Sequence, residues 1–211
     1  VVSESTVDLT PRPDPAAAGL AEQVEWPMLS EPGIVDRLAE YLAPTPATAT
    51  SDDLAALALA TGGGLSPSQA ALAVCDAVRD AVEYVPGATG VHTRAIEAWE
   101  QRKGVCQDIA HLAIGALRSL GIPARYVSGY LHPLGHKAVA GEAFVGESHA
   151  WIEFWCGEWY AYDPTNRSHV SDHHVVVARG REYYDVTPLR GVFAGGGRSQ
   201  QSVQVALTLE A

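Results

Sequence analysis

The chain has 211 residues, 47% of them apolar and 18% charged, which is material for a single globular domain with a buried core. Its 25 acidic side chains outnumber 14 basic ones, for a net charge of −11, and no basic run is present. Nucleic acid and anionic membrane are therefore not expected partners. No apolar stretch reaches the roughly 18 residues of a membrane span, and no signal peptide opens the chain, so a cytoplasmic location is expected. The cysteines number 3, an odd count that does not make a disulfide framework and leaves at least one thiol free.

Residues 1–10 alternate loosely like a strand, and Pro11, Pro13 and Pro15 then break regular structure. Residues 1–15 thus read as a strand and proline-rich linker, and 16–211 as the main domain. A helix is expected over 32–43, stopped by Pro44 and Pro46, and a short one through Ala60, capped by Asp52 or Asp53. Ser66 and Pro67 open a longer helix to about Val85, carrying Val74, Cys75, Val78 and Val82 at helical spacing. A further short helix covers 94–101. The strongest pattern lies at 105–120, where Ile109, Leu112, Ala113, Ala116, Leu117 and Leu120 form an unbroken stripe ended by Gly121 and Pro123. Beyond it the period becomes two. Strands are expected over 125–131, 148–155 and 159–163, with later ones near 175–178 and 203–209. Residues 134–146 have no period and read as a loop. Helices first and an antiparallel sheet afterwards make an α+β fold.

Chemistry gathers around Cys106, at the first turn of that best helix. Unpaired backbone N–H groups and the helix dipole favour an anionic thiol there. His149 sits in the strand Ser148-His149-Ala150-Trp151, and Asp163 closes the strand that follows. If these strands form a hairpin turning at Cys156-Gly157, His149 faces Asp163 directly, or diagonally on the same face if the register slips by two residues. An aspartate beside an imidazole fixes its tautomer, and an imidazole beside a thiol takes its proton. This is the nucleophile, base and orienting-acid logic of acyl transfer. Tyr126, Tyr130 and Trp151 are candidates to line a substrate groove.

The blocks Gly104-Val105-Cys106-Gln107-Asp108, Gly121-Ile122-Pro123-Ala124-Arg125, Ser148-His149-Ala150-Trp151 and Tyr162-Asp163-Pro164-Thr165-Asn166 resemble the bacterial transglutaminase-like superfamily. The resemblance implies a papain-like α+β fold, with the cysteine-bearing helix packed on an antiparallel sheet. It implies Cys106 as nucleophile, His149 as base and Asp163 as orienting acid, with no cofactor. It also implies that residues 1–10 are the last strand of a small upstream β domain and that 16–211 is the catalytic domain. The place after the nucleophile, which holds tryptophan in the animal cross-linking enzymes, holds Gln107 here, and no calcium-loop carboxylate cluster is present. Besides the backbone N–H of Cys106, the oxyanion site needs one side-chain donor, for which Trp99 and Gln107 are the candidates.

The expected activity is hydrolysis of an amide in a peptide or protein, with a glutamine side chain among the candidate groups. Transfer to an amine, giving cross-links, is the alternative enzymatic reading; a non-catalytic scaffold for peptide or cell-wall fragments is the alternative of another class. His169, Asp172, His173 and His174 resemble a metal cluster, but neighbours on a strand point to opposite faces, so no metal is expected there.

Overall fold

The computed structural model describes residues 4–9, 24–132, 139–188, 196 and 204–210. Serine caps set up the N-terminal helices. After α1 (Trp26–Leu29) and α2 (Pro32–Leu42), the side chain of Ser51 accepts the Leu54 N–H at 3.3 Å and starts α3 (Asp52–Gly62). The cap is therefore Ser51, with Asp52 and Asp53 inside the first turn, where their charges suit the helix dipole. Ser66 starts α4 (Pro67–Ala81) with a capping box: its hydroxyl accepts the Gln69 N–H, and the Gln69 side-chain Oε1 accepts the Ser66 N–H. This helix stops four residues short of the expected end at Val85. Val82 is extended, and Glu83–Tyr84 form β1, which pairs in parallel with β2 (Lys103–Gly104) after α5 (Ala95–Gln101). The β-branched Val82 and Val85 satisfy the helical period but prefer extended backbone, and a partner strand decides the contest.

The central helix, α6 (Cys106–Ser119), is buried on almost every side from Gln107 to Arg118. Ile109, Leu112, Ile114 and Leu117 are fully shielded, each contributing about 1.5–3 kcal/mol by leaving water. Gly121, at φ 80°, ends the helix, and the Ile122 N–H returns to the Leu117 carbonyl at 3.0 Å. Arg118 ties three segments to this end: it donates to the carbonyls of Ala43, Ala124 and Arg181. Burial pushes its pKa down to about 10, so it remains a cation whose charge is met by carbonyl dipoles.

The strands β3 (Ala124–Leu131), β4 (Ala143–Cys156), β5 (Glu158–Asp163), β6 (Ser168–His169) and β7 (His174–Gly180) form an antiparallel sheet in the order β6-β5-β4-β3-β7. A 3₁₀ turn (Tyr183–Asp185) follows β7, and β8 (Val205–Thr208) pairs with the start of β4. Tyr126, Ala150, Ile152, Phe154, Tyr160 and Tyr162 share one core with α6, whereas Val127, Trp151 and Ala161 form a second cluster. This α+β arrangement matches the expected fold class. Among the described residues, no helix is long and apolar enough to cross a membrane.

The structure differs from expectation at both margins of the chain's β content. Residues 4–9 are exposed and form no strand, because alternation without a partner strand fixes nothing. The prolines of the expected linker, and part of the expected 134–146 loop, lie outside the described residues. Ala143–Gly146 belong to β4 rather than to a loop; their order comes from remote pairing with β8, which local period does not show.

Candidate active site

The α6 start is built by its own first turn. The Val105 N–H donates to Asp108 Oδ2 at 2.8 Å, and the Thr89 hydroxyl donates to the same oxygen at 2.6 Å. Asp108 thus caps the helix; burial raises its carboxyl pKa, with these hydrogen bonds opposing the rise. Gly104 lets the incoming strand approach: a Cβ there would stand 2.6 Å from Asp108 Cβ. Cys106 is thereby held at the positive end of a 14-residue helix, half-buried against the core. Cys75 and Cys156 are fully buried; burial pushes the Cys75 thiol far up, Asp76 adding to it, and Cys156 up to about 12.

The β4–β5 hairpin turns at Gly157, at φ 86°, with Cys156 opposite Glu158 and Ile152 opposite Tyr162. Extending this register sets Trp151 opposite Asp163 and leaves His149 diagonal to it, the two-residue slip. His149 Nε2 donates to Asp163 Oδ2 at 2.7 Å, and the Cys106 thiol lies within the interaction range of the same side chain. Burial opposes a charge on His149, but the hydrogen bonds and charges of Asp163 and Cys106 outweigh it and push the pKa up to about 9.

Asp163 is completely buried and completely satisfied. Oδ2 also accepts Asn166 Nδ2 at 2.7 Å and His174 Nε2 at 3.4 Å, while Oδ1 accepts the Thr165 and Asn166 N–H groups at 3.0 and 3.2 Å. Burial alone would raise its pKa; the hydrogen bonds from His149, His174 and Asn166 instead hold it far below the usual carboxylate range. Asn166 and His174 thus join the site as supports of Asp163. The local signal for Asn166 was the Asp-Pro-Thr-Asn run, an Asx turn in which the aspartate receives its own following N–H groups. His174 carried no such signal. Its role depends on β7 lying beside β3, where the Ser171 N–H donates to its Nδ1 at 3.2 Å and so places the ring proton on Nε2.

Trp151 packs beneath this cluster, with ring centroids 5.2 Å from His174 and 6.1 Å from His149. Gly129, opposite His149 on β3, makes room for it: a Cβ there would fall 2.4 Å from the indole and 2.2 Å from the Val175 carbonyl oxygen. Trp151 and Tyr126 are 0% and 2% exposed, so neither lines an open groove. The reason is their alternation: each faces one of the two packed sides of the sheet. Tyr126 lies on the inner side of the sheet, where burial and the neighbouring Cys106, Tyr183 and Asp108 hold its phenol protonated. Tyr130, half-buried at the end of β3, is the groove candidate that keeps access to solvent.

The two oxyanion candidates differ. Gln107 Nε2 donates to the Val91 carbonyl at 3.1 Å, whereas Trp99 Nε1 is buried with no hydrogen-bond partner among the described residues. His149, Asp163 and His174 present ligand atoms within 4.8 Å of one another. The space between them is met by N–H donors, including Asn166 Nδ2, 3.5 Å from His149 Nε2, which suits a hydrogen-bonded proton better than a cation. His173 Nε2 lies 3.4 Å from Asp172 Oδ1, and of the residues singled out at 169–174 it is His174 that joins the convergent group with His149 and Asp163.

The sequence profile of the transglutaminase-like superfamily matches residues 55–164, which contain Cys106, His149 and Asp163. An uncharacterized protein of Mycobacterium leprae is 40% identical over 207 residues, covering 98% of this chain and 72% of that protein. A protein-glutamine gamma-glutamyltransferase of Pseudomonas aeruginosa is 36% identical over 86 residues, 38% of this chain and 12% of that protein. Among solved structures, a candidate cysteine protease from Cytophaga hutchinsonii is similar with a TM-score of 0.66 and 30% identity, over 83% of this chain and 57% of that one. The chain therefore belongs to the transglutaminase-like superfamily.

Proposed function

We propose that this chain is a thiol-dependent amide hydrolase that works through an acyl-enzyme on Cys106. One observation carries the reading: a single imidazole, His149, is hydrogen-bonded through Nε2 to a buried carboxylate and interacts with a thiol at a helix N-terminus. The fixed ring receives the thiol proton, and the resulting imidazolium is stabilised by Asp163. The thiolate adds to the amide carbonyl, and the negative oxygen meets the Cys106 N–H and, as second donor, the unpartnered Nε1 of Trp99. His149 then protonates the leaving amine, which leaves a thioester. Water, activated by the now neutral imidazole, releases the acid; the His149 side chain keeps 11% exposure, enough to admit it. The substrate is a peptide or protein amide, and no cofactor takes part.

Transfer to an amine instead of water is a second reading, favoured by the similarity to the Pseudomonas glutamyltransferase over 86 residues. The two differ only in which nucleophile attacks the thioester. Incubating the protein with a labelled glutamine peptide, with and without a primary amine, separates them. Hydrolysis converts the glutamine to a glutamate within the peptide and releases ammonia in both incubations. Transfer yields the amine adduct when amine is present. Products that Cys106→Ala forms as fast as the wild type would reject both.

A further inference from the structure

Outside the Cys106–His149–Asp163 cluster lies a cleft of about 530 Å³ whose charged lining is Arg79, Asp80, Glu83, Arg102, Lys103 and Arg167. Of the chain's 14 basic side chains, 4 stand there, in a protein whose net charge is −11. Asp80 is taken by Arg167, and Glu83 lies 3.9 Å from Lys103. Arg79 and Arg102 have no carboxylate partner among the described residues. Arg79 donates Nε to the Thr165 carbonyl at 3.1 Å and Nη1 to the Val82 carbonyl at 2.9 Å, which fixes the guanidinium and leaves Nη2 open. Arg102 lies 3.5 Å over the Trp99 ring, so its planar fork is held with the edges uncovered.

The backbone points the same way. Arg102 at φ 55° and Arg167 at φ 53° are the non-glycine residues in the left-handed region among those described, and both line this cleft. Glycine or asparagine fits such a turn more easily, so an arginine there gains nothing from the backbone and is placed by its side chain. The cleft is also tied to the proposed chemistry at both walls. Lys103–Gly104 runs directly into Cys106, and Arg167 ends the turn whose Thr165 and Asn166 N–H groups hold Asp163.

We propose that this cleft binds the carboxylate-bearing flank of an acidic peptide substrate. The inference rests on the acyl-transfer reading for the word substrate, but the binding itself does not. Paired N–H groups of fixed guanidinium planes match carboxylates two at a time. Asp80 and Glu83 remain in the lining and repel a dianionic phosphate more than a singly charged carboxylate.

Fluorescence anisotropy on Cys106→Ala, which cannot turn the ligand over, tests it. The probes are a labelled glutamine peptide flanked by glutamate and its glutamine-flanked isostere. At about 50 mM salt the acidic peptide should bind roughly 10-fold tighter, with the advantage shrinking as salt rises. Adding Arg102→Gly or Arg167→Gly should each remove part of that preference, and the pair should abolish it. Glycine relieves the left-handed backbone, so melting midpoints should not fall; Lys103→Gln, on a half-exposed side chain, provides a further variant that should cut the preference. Equal affinity for the two peptides, a preference that survives the double replacement, or displacement of the acidic peptide by inorganic phosphate at far lower concentration than by free glutamate would overturn the proposal. Failure of the chemistry looks different: acidic-peptide binding would persist while wild-type protein formed no product.

Discussion

Replacing Asp163 by asparagine keeps the shape of the side chain and removes its charge from a ring that is already largely desolvated. In the wild type, His149 is pushed from 6.5 to about 9. At about 1.4 kcal/mol per pH unit, this is about 3 kcal/mol in favour of the imidazolium, and Asp163 with Cys106 must supply it against the burial cost. Without the carboxylate, burial dominates, and His149 in Asp163→Asn should titrate at or below its ordinary 6.5. Titration of ¹⁵N-labelled imidazoles by NMR reads this directly. Stability follows with a definite sign. Because the folded pKa is raised, the contribution is complete below about 6.5 and is lost as pH rises through about 9. The stability gap between wild type and Asp163→Asn should therefore narrow across that window. Turnover should fall about 10-fold to 10³-fold, less than in a serine triad, because a thiol gives its proton to an imidazole more readily than a hydroxyl does. A His149 that still titrates near 9 in Asp163→Asn would refute the reasoning.

Iodoacetamide near neutral pH should label Cys106 well before Cys75 and Cys156, which are buried with raised thiol pKa values, and His149→Ala should slow that labelling. Equal rates for the three thiols in the folded protein would count against an activated nucleophile. His174→Ala removes one donor from Asp163, at a cost of about 1 kcal/mol. Asp163 is a group with a depressed folded pKa, so its contribution is present above the unfolded value and is lost on acidification. In His174→Ala the folded pKa is less depressed, so that contribution is smaller and is exhausted at a higher pH, raising the acid-unfolding midpoint followed by circular dichroism. Gly129→Ala forces a Cβ to within 2.2 Å of the Val175 carbonyl and 2.4 Å of Trp151. It should lower the melting temperature by about 5–10 °C in calorimetry, and an unchanged midpoint would show that the strand simply moves aside.

What the sequence revealed depended on whether the cause was local. Cys106 was legible because the α6 stripe fixes its phase and its place at the helix start. The pairing of His149 with Asp163 was legible because hairpin register allows only two same-face solutions around Gly157, and the diagonal one occurs. His174 was not legible as a support of Asp163, since its position depends on β7 crossing to β3, far from any local period. The start of β4 was hidden for the same reason, its partner β8 lying about 60 residues downstream. Tyr126 and Trp151 show the opposite error: aromatic residues near a nucleophile read as a groove, yet a sheet covered on both sides buries them. Trp99 and Gln107 could be distinguished only once the Val91 carbonyl was seen to occupy the Gln107 amide.

The central claim is a covalent acyl intermediate on Cys106. Acid-quenched reactions with a slowly hydrolysed activated ester of a glutamine-like acid, followed by peptide mass spectrometry, test it most directly. The account predicts an acyl mass on the Cys106 peptide of the wild type, longer-lived in His149→Ala because water is no longer activated, and absent in Cys106→Ala. Acyl mass on Cys75 or Cys156 instead, or product formation with no adduct at Cys106 under any quench, would contradict it.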